Sequence, residues 1–382
     1  MVLRTAVFGG LPRVFWFLFS GQLVSRFGGT VLPFLVSYLA SLGHSPGEIG
    51  LVLGAYGVGG LGGQPLGGFL ANRFGHRTTL ITGLLSTAAC LLLIGFAWNI
   101  TTMMAFAAAL GLCADVYQPA ARALIAETIP SDLRPKAFGL LHWAFNVGAA
   151  LSGVAAGLLL AHGFWLLIAL DVATTLIFAA VVAAGIPSNP SQTHRRPPRY
   201  RTALRNRHLL AVLLLILINA TVYAQQRFAL PLALTADGHP PSRYGLLITL
   251  NAILVVALQP LIMAWLTSYP RLTVLAASWA LIGIGLALTG LATTPWQYAL
   301  TVVIWSAGEI GMVGFSAALI ADLTPAHAHA TYQALYGWTG AIARVAAPLV
   351  GAFLYDRSAL WWTCAATGVL CALSALLLQR SR

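Results

Sequence analysis

The chain has 382 residues, of which 59% are hydrophobic and only 8% charged, with a mean hydropathy of +0.83, whereas an ordinary soluble domain carries about 25% charged residues. This composition excludes a soluble globular fold. A formal charge of +12 would point to nucleic acid in a soluble protein, but here the position of the charges carries the information and no nucleic-acid partner is expected.

The first apolar stretch follows Arg4 and Arg13 and runs to Leu39. It is longer than a signal-peptide h-region and lacks a small-x-small cleavage site, so it reads as a first membrane span. Stretches of about 20 apolar residues, enough to cross a hydrocarbon core of about 30 Å, then recur along the chain. Without water the backbone must satisfy itself as helix or closed barrel, and long uninterrupted apolar runs choose helix. The predicted spans are 12–41, 46–71, 78–97, 100–127, 134–161 and 163–186, then 208–235, 241–266, 271–292, 295–323, 329–355 and 358–378. Between the two sets of six lies one long polar segment, in which Arg195, Arg196, Arg199, Arg201, Arg205 and Arg207 stand among prolines. It reads as a solvated linker. The expected fold is all-α integral membrane, with twelve transmembrane helices in two pseudo-symmetric bundles: residues 1–187, a cytoplasmic linker at 188–207, and residues 208–382.

Lys and Arg concentrate in cytoplasmic loops. One side of the predicted topology receives Arg4, Arg13, Arg73, Arg77, Arg134, Lys136, the linker arginines, Arg271, Arg380 and Arg382, and the other only Arg243 and Arg357. Both termini are therefore expected in the cytoplasm, in a cell membrane of bacterial plasma or inner-membrane type, with the lipid bilayer as the surrounding partner. Cys90, Cys113, Cys364 and Cys371 all lie in apolar segments without CxxC spacing, so neither a metal site nor a structural disulfide is expected.

The two sets of spans repeat. Gln64-Pro65-Leu66 recurs 195 residues later as Gln259-Pro260-Leu261, and Ala123-Leu124-Ile125-Ala126-Glu127 recurs at the same offset as Ala318-Leu319-Ile320-Ala321-Asp322. Trp143 matches Trp338 with the offset unchanged. An even number of spans per unit makes the repeats parallel, related by an axis along the membrane normal.

After the second span, Gly68-Phe69-Leu70-Ala71-Asn72-Arg73-Phe74-Gly75-His76-Arg77 resembles the loop signature of the major facilitator superfamily, G-x-L-a-D-r-x-G-r-r, with Asn72 in place of the usual aspartate. The fifth span, from Asn146 through Gly148, Gly153 and Gly157, is similar to the glycine motif of the superfamily's drug and proton antiporters, although Val154 replaces the usual proline. Glycines so spaced let helices approach closely, and packing is the general reading for these three. Arg26-Phe27-Gly28 with Pro33-Phe34-Leu35, and Tyr223-Ala224-Gln225 with Leu230-Pro231-Leu232, look like proton-linked efflux members. The resemblance implies a rocker-switch carrier with a cytoplasmic gate at Gly68, Asn72, Arg73, Gly75 and Arg77, and a central cavity lined by the first, fourth, seventh and tenth spans.

A charge at the bilayer centre costs at least about 2.5 to 3.5 kcal/mol, so ionisable residues there face a cavity or a partner. Arg26, Asp115, Asp171, Arg227, Glu309 and Arg344 stand inside predicted spans. The four on the implied cavity spans put one base on the first span of each half and one acid on the fourth. Asp115 and Glu309 are expected to be the proton-coupling acids, with Arg26 and Arg227 as partners or substrate contacts; static ion pairing between helices is the competing role. Asp171 and Arg344 fall outside those spans and read as structural. Arg122, two turns beyond Asp115, and Glu127 read as gate residues, and Arg73, Arg77, Glu127, Asp132 and Arg134 as an intracellular clasp. Gln22, Tyr117, Asn146, Tyr223, Gln225, Trp305 and Trp338 complete the expected substrate cavity, an aromatic surface with a few polar groups.

The function expected is secondary active transport, a proton-coupled efflux antiport of drugs or small amphiphilic metabolites. The alternative is proton-coupled uptake or facilitated passage of a small polar solute. Small-molecule substrate and protons are the expected partners, the chain is expected to be a monomer, and no cofactor is expected. No HExxH, GxSxG or Walker A motif supports an enzyme. The formal GxGxxG string at Gly57 to Gly62 lies inside an apolar span rather than between strand and helix, and does not mark a dinucleotide site.

Overall fold

A computed structural model describes residues 9–44, 46–160, 163–187, 200–239, 241–325, 328–355 and 359–380. Among these residues the chain is helical, with no strand. In chain order the helices are α1 (Arg13–Gly28), α2 (Val31–Ser41), α3 (Pro46–Phe74), α4 (His76–Gly95), α5 (Ile100–Thr128), α6 (Arg134–Leu160), α7 (Phe164–Gly185), the short α8 (Tyr200–Ala203), α9 (Arg207–Tyr223), α10 (Gln225–Ala236), α11 (Pro241–Leu266), α12 (Arg271–Thr289), α13 (Pro295–Asp322), α14 (His329–Tyr355) and α15 (Leu360–Arg380). Most of the arginine-rich linker, residues 188–199, lies outside the described residues.

Eight helical stretches among the described residues are long and apolar enough to cross a membrane: α4, α5, α7, the α9–α10 run, Arg243–Leu266 of α11, α12, α13 and α15. Local chemistry marks their ends. Asn99 closes a capping box with Thr102 at the start of α5, and ahead of α13 the Gln297 side-chain oxygen accepts the Thr293 and Thr294 amides at 2.8 and 3.0 Å, so that amides at each helix start are satisfied. Gly75, at φ 85°, makes the left-handed turn between α3 and α4.

Two predicted spans are broken. The 12–41 stretch stops at Gly28 and restarts at Val31, with the Thr30 amide turned back to the Gly28 carbonyl at 2.6 Å. The Asp171 carboxylate of α7 accepts the first α2 amide, that of Val31, at 3.3 Å, an anion at a helix N-terminus. The 208–235 stretch turns at Ala224 between α9 and α10. Gly29 and Ala224 are 195 residues apart, so the break is part of the repeat.

Helices α1 to α7 pack among themselves, as do α9 to α15, and the two groups meet through α3 with α14, α5 with α14, α6 with α11, and α6 with α13. These contacts respect the repeat, since α3, α5 and α6 are the counterparts of α11, α13 and α14. Within the first group the tightest approach is α3 on α5. A Cβ on Gly59, Gly63 or Gly67 would lie 1.9, 2.4 and 2.1 Å from the carbonyls of Ala108, Leu112 and Val116. A stripe of glycines one turn apart thus lets backbone touch backbone, which explains the glycine-rich string of that span. Gly148 serves similarly where α6 meets Arg26 and Leu23 of α1. Gly153 and Gly157 are helical, and their surroundings lie outside the described residues.

Candidate functional site

Among the described residues the hydrogen bonds and ion pairs between the two groups of helices gather toward one end, the joined end, and thin out toward the other, the parted end. At the parted end Gly54 and Gly57 of α3 and Gly245 of α11 face open space, and Leu51, Val58, Leu246, Ile253, Leu349 and Phe353 are exposed.

The joined end is held by polar contacts. Asp322, at the end of α13, accepts Arg134 of α6 at 2.7 Å and Arg271 of α12 at 2.5 Å, and Arg271 also donates to the Ser131 carbonyl of the first group. Asn72 donates to the Thr331 hydroxyl in the first turn of α14 at 2.6 Å. Arg122 donates to the Gln333 carbonyl at 3.1 Å and stacks over Tyr336. Gly68 lies where a Cβ would come within 2.4 Å of the Tyr200 hydroxyl and 2.6 Å of Ala334. Tyr200 itself donates to the Pro65 carbonyl at 2.5 Å, and burial raises its phenol above the ordinary tyrosine value.

Of the expected gate residues, Gly68, Asn72 and Arg122 thus meet the opposite group directly. Glu127 contacts His76 at 3.1 Å and Arg77 donates to the Ala183 carbonyl, both within the first group. Arg73 is exposed and lies over the adjacent Phe74 ring. The expected clasp did not include Asp322 or Arg271. Its signal was in the repeat: Asp322 is the counterpart of Glu127, Arg271 of His76, and Arg134 of His329, all at the 195-residue offset. The two sets of counterparts differ in their bases, arginine around Asp322 and histidine around Glu127. His329 stands within electrostatic reach of Glu127 and His76.

Both candidate coupling acids are bonded across the interface. Asp115 of α5 meets Arg344 of α14 at 3.0 Å. Glu309 of α13, 4% exposed, meets His142 of α6 at 3.4 Å, accepts the Asn251 amide at 2.7 Å and has Tyr223 within electrostatic reach. The other nitrogen of His142 faces the Gln259 side-chain oxygen at 3.1 Å. Nε2 of His142 also lies 3.3 Å from the side-chain amide of Asn146. Asn146 braces this histidine, donating to its carbonyl at 3.0 Å. Arg344, expected to be structural, and His142 therefore complete the two acid sites, and neither partner was legible from its own helix.

Asp115 and Gln118 are shared walls of two cavities. One, of about 320 Å³, lies within the first group, with walls from each of α1 to α7, and also exposes Arg26, Tyr117, Phe145 and Asp171. The other, of about 190 Å³, lies between the two groups and reaches Arg122 and Tyr336. Arg26 donates to the Tyr117 hydroxyl at 3.3 Å and lies 4.5 Å from the centre of the Phe145 ring.

The other expected cavity residues are dispersed. Gln22 is partly buried on α1, and Arg227 is exposed on α10. Trp305 is fully buried where Gly285 makes room for it in the core behind Tyr223, so it does not form a cavity wall. Gln225 is buried with its amide on the Ala347 carbonyl at 2.9 Å. It borders a separate apolar groove between α9, α14 and α15. Trp338 is 37% exposed, one turn before Ile342 of the same groove and so on that face of the helix.

The family model of the Major Facilitator Superfamily matches residues 18–231 and 212–382. A Na(+), Li(+), K(+)/H(+) antiporter of Planococcus maritimus is 23% identical over 356 residues, covering 84% of each chain. The quinolone resistance protein NorA of Staphylococcus aureus is 27% identical over 139 residues, 36% of each chain. Among solved structures, a bacterial homologue of the iron transporter ferroportin in an outward-facing state superposes with a TM-score of 0.81 at 14% identity, covering 97% of this chain and 100% of that one. The human organic anion transporter MFSD10 gives 0.78 at 16%, covering 96% and 99%; at such identities the likeness speaks for the fold alone. With the family model matched through both repeats and the same fold found along nearly the whole chain, the protein belongs to the Major Facilitator Superfamily.

Proposed function

We propose that this membrane-embedded transporter is a proton-coupled exporter of drugs or small amphiphilic metabolites, working by alternating access between two bundles whose border is the 188–207 linker. The observation that carries the reading is the crossed pairing of the acids: Asp115 with Arg344, and Glu309 with His142, each joining one group of helices to the other. Protonating either carboxylate removes its charge and the attraction that holds the groups together, so proton occupancy and separation are linked. The joined end carries most of the loop arginines and is read as cytoplasmic by the positive-inside rule. The conformation is then open to the outside, where protons enter. The antiporter and quinolone-resistance names of two relatives favour export over uptake.

The test is reconstitution into proteoliposomes with an imposed pH gradient and a panel of cationic, neutral and anionic compounds. Glu309→Gln and Asp115→Asn are expected to abolish or strongly reduce pH-driven flux while leaving exchange at equal pH measurable. Full coupled transport in both variants would end the proposal, and inward accumulation of one solute would select uptake.

A further inference from the structure

The sequence places six ionisable residues inside the membrane, and the structure accounts for five. Asp115 and Arg344 hold each other, Glu309 holds His142, Asp171 is bonded to the Val31 amide, and Arg227 is exposed. Arg26 is the sixth. Among the described residues no carboxylate lies within ion-pair distance of it; its contacts are the Tyr117 hydroxyl and the face of Phe145, and its buried Nε has no hydrogen-bond partner. An aromatic face offsets only part of a cation's desolvation, and a guanidinium in a low-dielectric interior calls for a counter-charge.

Arg26 lines the cavity of about 320 Å³, whose other walls include Phe34, Tyr56, Leu84 and Leu110, with Ser152 and Thr175 as small polar groups. Asp115 is paired with a base, and Asp171, within electrostatic reach of Arg26 but not in contact with it, is turned to the Val31 amide, so Arg26 is left as a cation on this wall with no carboxylate in contact with its guanidinium. The volume sits at the lower end of the roughly 300–1,000 Å³ of small-molecule pockets, which suits one or two rings. We propose that this cavity binds an amphiphilic organic anion, a monocarboxylate with a flat aromatic or short aliphatic body, its carboxylate on the Arg26 guanidinium and its body against the aromatic and aliphatic walls. The planar fork of arginine matches a carboxylate. The proposal rests on the transporter reading above and names a cargo class for it.

The test is equilibrium binding to the full chain in lipid nanodiscs, without a pH gradient, using 2-naphthoate, neutral 2-naphthamide and cationic 2-naphthylmethylammonium. Naphthoate is expected to bind about tenfold or more tighter than either analogue, the scale of a charge-assisted hydrogen bond. Arg26→Gln should erase that preference, and Arg26→Lys should keep part of it by retaining charge without the fork. Equal binding of the three compounds, tighter binding of the ammonium, no binding of any, or an anion preference that survives Arg26→Gln would each overturn the proposal. If the glutamine variant does not fold, the ligand comparison on the unaltered chain and the lysine variant decide. Anion preference without pH-driven flux would overturn proton coupling alone; pH-driven flux without anion preference would overturn this cargo class alone.

Discussion

Replacing Asp322 by asparagine tests whether the joined end is held by charge. The carboxylate is 28% exposed and accepts Arg134 at 2.7 Å and Arg271 at 2.5 Å; only the first of these pairs joins the two groups of helices. A hydrogen bond to a charged partner contributes about 1.5–3 kcal/mol when sheltered, while an exposed ion pair contributes about 0.2–1 kcal/mol. At this intermediate exposure, and with the asparagine oxygen still able to accept one bond, the loss should be about 1–2 kcal/mol. That shifts the ratio of joined to separated molecules by about five- to thirtyfold. Spin labels at Thr128→Cys and Pro325→Cys, exposed positions on opposite groups, in a background lacking the four native cysteines, would report the change as a growing long-distance population. Arg134→Gln should have the same effect, and the double variant should add little to either single one. Strict additivity, or an unchanged distance distribution in Asp322→Asn, would refute an electrostatic clasp.

His329→Arg should give the Glu127 side the permanent base that its counterpart Arg134 supplies to Asp322, enlarging the joined population in the same distance measurement and slowing turnover. Asn72→Asp should favour the joined state by about 0.3–1 kcal/mol, because its carboxylate would face the N-terminus of α14; the separated population should shrink correspondingly. Gly68→Val should prevent closure against Tyr200 and Ala334, seen as a loss of the short distance with normal expression and melting. Tyr200→Phe removes the bond to the Pro65 carbonyl and should weaken closure by about 1 kcal/mol.

The repeat and the spacing of apolar runs made the helices legible, and the depth of Asp115, Glu309 and Arg26 followed from counting along them. Partners were harder to read, because a residue's depth does not say which neighbour it meets across an interface. Arg344 looked structural because it lies outside the helices expected to line a cavity, yet the approach of α14 to α5 puts it on Asp115. Trp305 looked like a cavity aromatic because it stands on a span implied to line the cavity, and a glycine on α12 makes room for it in the core instead. Tyr200 was hidden in a segment read only for its arginines. Asp322 could have been found by carrying the Glu127 role through the repeat. The break after Gly28 depends on a carboxylate from α7, which local composition does not reveal.

The glycine stripe on α3 has a mechanical consequence. Backbone seated on backbone ties α3 to α5 from Gly59 to Gly67, so the two helices move as one lever, which can bend at Pro65 of α3 and Pro119 of α5. Gly60 of that lever lies beside Asp115 and Arg344, and Asn72, twelve residues further along and thus about 18 Å away, holds Thr331 at the joined end. A displacement at the acid is therefore passed along this pair of helices, through Pro65, toward the gate. A larger residue at Gly63 would add compliance to that linkage as well as loosening the packing, letting the acid respond while the gate stays shut.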